Sequence, residues 1–108
     1  MHGLNGHKIK SWTSDNGKLW LRDFLPERIP NVRVFTYGYD ANTHSAEGTS
    51  IQYIQDFARS LVSELDLKRR LTQTEGRPII FVAHSLGGLV VKSVRQLSTC
   101  NGTYTGAY

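Results

Sequence analysis

No Asp, Glu or His follows Ser85: all nine acidic residues lie at or before Glu75, and all four histidines at or before His84. Any carboxylate or imidazole that could assist that serine therefore sits upstream of it within these residues. Cysteine is nearly absent as well. Cys100 stands alone, which excludes an internal disulfide and suits a reducing compartment. Long apolar runs are missing, the longest being the five residues Ile79 to Ala83, so no transmembrane segment is expected. The opening "MHGLNGHKIK" lacks the apolar core of a signal peptide, and an intracellular, most simply cytoplasmic, location is the expectation. The 13 Lys and Arg outnumber the 9 Asp and Glu for a formal charge of +4. They are scattered apart from Lys68-Arg69-Arg70, with no stripe or recognisable module, so nucleic-acid binding is not expected. The 108 residues suffice for one small domain.

What is present is an alternation of helical and extended patterns. The first 17 residues are rich in Gly, Asn, Ser and Lys and read as loop. Leu19, Trp20, Phe24 and Leu25 predict a helix over about 18–25, punctuated by Pro26 and Pro30. "VRVFTY" is β-branched and aromatic and predicts a strand over about 32–37. A polar loop through Asn42 to Gly48 follows. Thr49 or Ser50 can then cap a helix over about 50–70, with Ile51, Ile54, Ala58, Leu61, Val62 and Leu65 on one face. Lys68 to Arg70 fall at its end, where the helix dipole favours cations. A continuous apolar strand is expected over about 79–83, and a last helix over about 86–98 with Leu89, Val90, Val94 and Leu97 as its apolar face. The tail from Thr99 is small and polar. Strands alternating with helices predict an α/β fold built on a parallel sheet.

The chemistry concentrates in "RPIIFVAHSLGGLVVKSV". A buried strand running straight into a helix would place Ser85 on a sharp, strained corner, tolerable because Ala83, Gly87 and Gly88 are small. The helix N-terminus behind it offers unpaired N–H groups and a positive dipole end, so an oxyanion could accept from the Leu86 N–H. Serine is also a common helix cap, but a cap does not explain a strand ending in H-S-x-G-G without an intervening loop.

These residues resemble the nucleophile elbow of the α/β-hydrolase superfamily, G-x-S-x-G, here Ala83-His84-Ser85-Leu86-Gly87 with alanine in the first glycine's place. His2-Gly3 in "HGLNGHKIKSW" resembles the family's oxyanion loop, here residues 2–12, with Leu4 giving the second backbone N–H. Taken with "VRVFTYGYDA", the set is similar to the serine-esterase or lipase-like domains of the DUF676 group. That group is related to the mitochondrial serine-active-site protein and to N-terminal domains of fungal NACHT or ankyrin signalling proteins. The resemblance covers about residues 2–98. It implies a partial α/β-hydrolase domain over 1–108, elbow at 83–88, that cleaves an acyl ester or lipid without a metal or organic cofactor. Mitochondrial or ER association and a signalling-protein context are implied for the full-length family.

The family's triad runs Ser, acid, His along the chain, so this sequence lacks both partners of Ser85. His84 is adjacent to Ser85, but an elbow points neighbouring side chains apart. His2 is expected to brace the oxyanion-loop backbone and His7 to pack in a loop; His44 and Asp40 follow the strand ending at Tyr37 and could rim the cleft, a solvated loop being the commoner reading for His44. Trp12 reads as a core or loop anchor. The central strand of the family would precede His2, so the chain is expected to be cut at both ends and inactive by itself. A degenerate, non-catalytic interaction module is the alternative.

Overall fold

A computed structural model describes residues 1–41 and 51–101. Their helical elements are a 3-10 turn at Lys10–Trp12, α1 (Trp20–Asp23), α2 (Leu25–Arg28), α3 (Ile51–Leu71) and α4 (Leu86–Asn101). The helix expected over 18–25 is broken at Phe24 into two single turns. Asp23 Oδ2 accepts the Leu19 N–H at 2.9 Å and so satisfies an orphan donor at the start of α1. Pro26 falls in the first turn of α2, where its missing N–H costs no helical bond. The proposed caps Thr49 and Ser50, with His44, lie outside the described residues.

The two long helices pack against each other. Ala58 and Leu61 of α3 meet Val90 and Val94 of α4, with Ala58 and Val90 fully buried. Met1, Tyr37, Tyr39, Ile54, Phe57, Val62 and Leu97 cover this small core in part. Leu89, expected on the apolar face, is 52% exposed instead. α3 ends where Gln73 takes a left-handed φ of 51° and the Thr74 N–H donates back to the Arg69 carbonyl at 2.9 Å. Arg69 is buried, and its guanidinium donates to the carbonyls of Glu75 and Arg77. The basic cluster thus ties a turn together in addition to facing the helix dipole. Arg33 reaches the hydroxyls of Thr72 and Thr74 (3.1 and 2.8 Å), and Arg77 reaches the Asn31 carbonyl (2.6 Å).

The expected parallel sheet is not there, and the α/β assignment is overturned. Among the described residues no strand occurs, and the isolated bridge joins Thr13 to Leu19 in antiparallel fashion. Residues 32–37 and 79–83 are strand-like in composition, yet Val34, Phe35, Ile80, Phe81 and Val82 are all exposed, Ile80 to 86%. The reason is pairing. A strand persists by exchanging backbone hydrogen bonds with a neighbour, and among the described residues no backbone hydrogen bond joins these two segments. Met1 to Asn5 connect them only at their C-terminal ends. The Met1 ammonium donates to the Val82 carbonyl (2.5 Å) and the His84 N–H donates to the Met1 carbonyl (3.1 Å). These two bonds bracket Met1 as one rung of a parallel ladder would. Toward the other segment the Asn5 N–H donates to the Ala41 carbonyl at 2.9 Å. A single rung makes no sheet.

Candidate functional site

Ser85 stands between the segment ending at His84, which Met1 alone pairs with among the described residues, and the first residue of α4. Its φ is +52°, a left-handed conformation that disfavours a residue with a Cβ. Asn tolerates this region through local hydrogen bonding, and Asn5 and Asn31 occupy it here too; serine does so far less readily. The turn is closed by the Gly87 N–H on the His84 carbonyl (3.0 Å) and the Gly88 N–H on the Ser85 carbonyl (2.8 Å). Ser85 is exposed.

The N-terminal loop lies directly on this corner. A Cβ on Gly3 would stand 2.8 Å from Ser85 Cβ and 2.9 Å from His84 Nδ1. A Cβ on Gly87 would stand 2.6 Å from the His2 carbonyl oxygen and 2.9 Å from that of Met1. Only glycine permits these approaches, and together they bring residues 2–4 beside 84–87. Gly88, grouped with Gly87 on sequence grounds, meets nothing within 4 Å, so its small size is not needed for room. Ala83 is exposed beside the Met1 rung. The N–H groups of Leu4 and Leu86 donate to no other group among the described residues.

Four side chains hold the loop from behind. His2 is buried at 1% exposure and stacks on Tyr39, with ring centroids 4.4 Å apart and 13° between planes. Its Nδ1 donates to the Gly3 carbonyl (3.0 Å), and its Nε2 accepts from the Tyr39 N–H (3.4 Å). The Tyr39 hydroxyl donates to the His2 carbonyl at 2.7 Å, the oxygen that also excludes a side chain at Gly87. Phe57 and Tyr37 flank Tyr39 at centroid distances of 4.8 and 5.9 Å. Burial pushes the phenols of Tyr39 and Tyr37 above their ordinary range. Tyr39 escaped the sequence reading because it follows Gly38, where a loop seemed to begin. The signal available was its i, i+2 spacing from Tyr37, which sets both rings on one side of an extended chain.

Among the described residues no base is hydrogen-bonded to the Ser85 hydroxyl. Both ring nitrogens of His2 are engaged, and His7 Nδ1 accepts the N–H groups of Ile9 and Lys10 (3.1 and 3.2 Å) to begin the 3-10 turn. Asp40 borders a separate cleft of about 330 Å³ with His2, His7 and Lys8. His84 lines a cleft of about 350 Å³ with Gly3, Leu4, Gly6, Ser11 and Trp12. Among the described residues no group of three His, Cys, Asp or Glu could hold a metal ion, and no helix is long and apolar enough to cross a membrane.

Comparison with known proteins gives relatives of one name. The chain is 32% identical over 113 residues to protein SERAC1 of Danio rerio. It is 26% identical to protein SERAC1 of Mus musculus and 25% identical to that of Homo sapiens, each over 111 residues. Each match takes in 87% of this chain and 17% of the relative, so the chain spans about a sixth of the length of the curated proteins it matches. Its homologues are therefore SERAC1 proteins. No family model matches the sequence, and no solved structure does.

Proposed function

We propose that this chain carries the nucleophile and the oxyanion-binding half of a serine hydrolase site. Ser85 attacks the carbonyl carbon of an acyl ester, and the N–H groups of Leu4 and Leu86 receive the oxyanion that forms. The tetrahedral intermediate then expels the alcohol and leaves the acyl group on Ser85, from which water releases it. The observation that carries this reading is the strained left-handed Ser85 at a helix start with Gly3 packed against its Cβ. Strain of this kind costs roughly 1–3 kcal/mol and gathers at functional sites. The descent shared with SERAC1 proteins supports a hydrolase-like origin.

The proton leaving Ser85 needs an acceptor, and an acid must orient that acceptor. Both come from outside these residues in this proposal, so the 108-residue chain alone has no turnover. The lack of a described base favours one other reading, a hydrolase-derived module that binds without catalysis. A fluorophosphonate probe separates the two. The isolated chain stays unlabelled, whereas the protein extended to the length of its relatives labels at Ser85 and loses labelling in Ser85→Ala. An extended, folded protein that never labels leaves the binding module standing.

A further inference from the structure

Gly3 must be glycine to lie against the serine corner, since a Cβ there would stand 2.8 Å from Ser85 Cβ and 3.1 Å from the His84 carbonyl oxygen. That requirement has a drawback. Glycine has the freest φ and ψ of any residue, so it does nothing to fix the direction of the N–H that follows it, which belongs to Leu4. An oxyanion donor is effective when its direction is set before the charge develops. The direction must therefore come from anchors on the peptide planes at either side of Gly3.

Both planes are anchored, and Tyr39 has a part in each. On the first, between His2 and Gly3, the Tyr39 hydroxyl donates to the His2 carbonyl at 2.7 Å. On the second, between Gly3 and Leu4, the Gly3 carbonyl accepts from His2 Nδ1 and from the Gly6 N–H, each at 3.0 Å. A trans peptide unit is planar, with its C=O and N–H pointing opposite ways, so holding the Gly3 oxygen aims the Leu4 N–H away from the His2 ring. That ring is itself held by Tyr39, which stacks on it with centroids 4.4 Å apart and donates its N–H to Nε2 at 3.4 Å. Tyr39 packs in turn on Phe57 of α3, at a centroid distance of 4.8 Å, which ties the loop to the helix pair. We infer that Tyr39 is a positioning residue for oxyanion binding, aiming the Leu4 N–H through the peptide planes on either side of Gly3. The inference rests on the hydrolase reading given above and names what holds one of its two donors in place. Tyr39 acts through His2 and Gly3, not on the ester itself.

Tyr39→Phe keeps the ring and removes only the hydroxyl, and two measurements on the protein extended to the length of its relatives test it. The first is Ser85 labelling across a concentration series of an alkyl fluorophosphonate, whose phosphoryl oxygen takes the place of the oxyanion. The maximal labelling rate is expected to fall about tenfold with the half-saturating concentration unaltered, because a donor is misdirected after the probe is bound. A loss of packing alone would lower the melting temperature without that split. The second is amide exchange of Gly6, followed by NMR in glycine-labelled protein. Its N–H closes on the Gly3 carbonyl and is expected to exchange at least about fivefold faster in Tyr39→Phe. Equal maximal rates, or a change confined to the half-saturating concentration, overturns the inference while leaving the hydrolase. Slower labelling with Gly6 exchange unaltered overturns it too, since the hydroxyl would then act by a route other than the loop. A wild type that never labels removes the hydrolase reading, and Gly6 exchange then decides by itself. Unaltered exchange defeats the role of Tyr39, and faster exchange keeps it as the residue that aims the Leu4 N–H.

Discussion

At residue 87 the difference between glycine and alanine is a single methyl group aimed at two carbonyl oxygens. Gly87→Ala would force that methyl to within 2.6 Å of the His2 oxygen, lifting the N-terminal loop off the corner at a cost of about 1–3 kcal/mol. Gly88→Ala meets open space in the first turns of a helix and is expected to raise helix stability by up to about 1 kcal/mol. Thermal unfolding followed by circular dichroism should separate the pair in opposite directions, and equal effects would mean the loop does not rest there. Tyr39 gives a second test at this scale. Burial raises its phenol pKa above the usual value of 10, so folding favours the neutral form. That stabilisation is complete below the unfolded value and disappears as pH rises through the folded one, where the bond to the His2 carbonyl is also lost. In a tyrosinate absorbance titration, Tyr37 and Tyr39 should ionise above the ordinary tyrosine range, and Tyr39→Phe should remove one late step. Ionisation of Tyr37 and Tyr39 within the ordinary tyrosine range would contradict the packing described.

At the scale of elements, the α3–α4 pair contributes most of the burial. Leu61→Ala removes a buried side chain from their contact, 6% exposed, and is expected to cost about 3 kcal/mol. The helical signal of the chain should fall accordingly, while Leu67→Ala, at a position 58% exposed on the same helix, should leave it nearly unaltered. Helices of this kind are legible in sequence because period and composition act within one segment: Ile54, Ala58 and Leu61 lie on one face whatever they pack against. The extended segments are legible only as composition. Val32 to Tyr37 and Ile79 to Ala83 have the residues of strands, but a strand is a relation between two backbones, and sequence alone does not supply the second. The break at Phe24 was hidden for a related reason, since Pro26 can end one helix or begin the next.

For the molecule as a whole, the exposed apolar side chains are the governing fact. Phe35, Ile80 and Val82 stand in segments with free backbone edges, and such edges pair readily with other chains. The isolated 108-residue chain is expected to bind a hydrophobic dye and to self-associate as concentration rises, with a charge introduced at the exposed Ile80 (Ile80→Glu) reducing association. A monomer that melts cooperatively and ignores the dye would refute this. By itself, the sequence determined which residues share a face on α3 and α4 and that no Asp, Glu or His follows Ser85 within these 108 residues, because periodicity and residue order are local properties. Only the tertiary structure decided that Gly3 and Gly87 lock the loop to that corner, that Tyr39 holds His2, and that no sheet forms, because each of these depends on which distant backbones come within hydrogen-bonding or van der Waals reach.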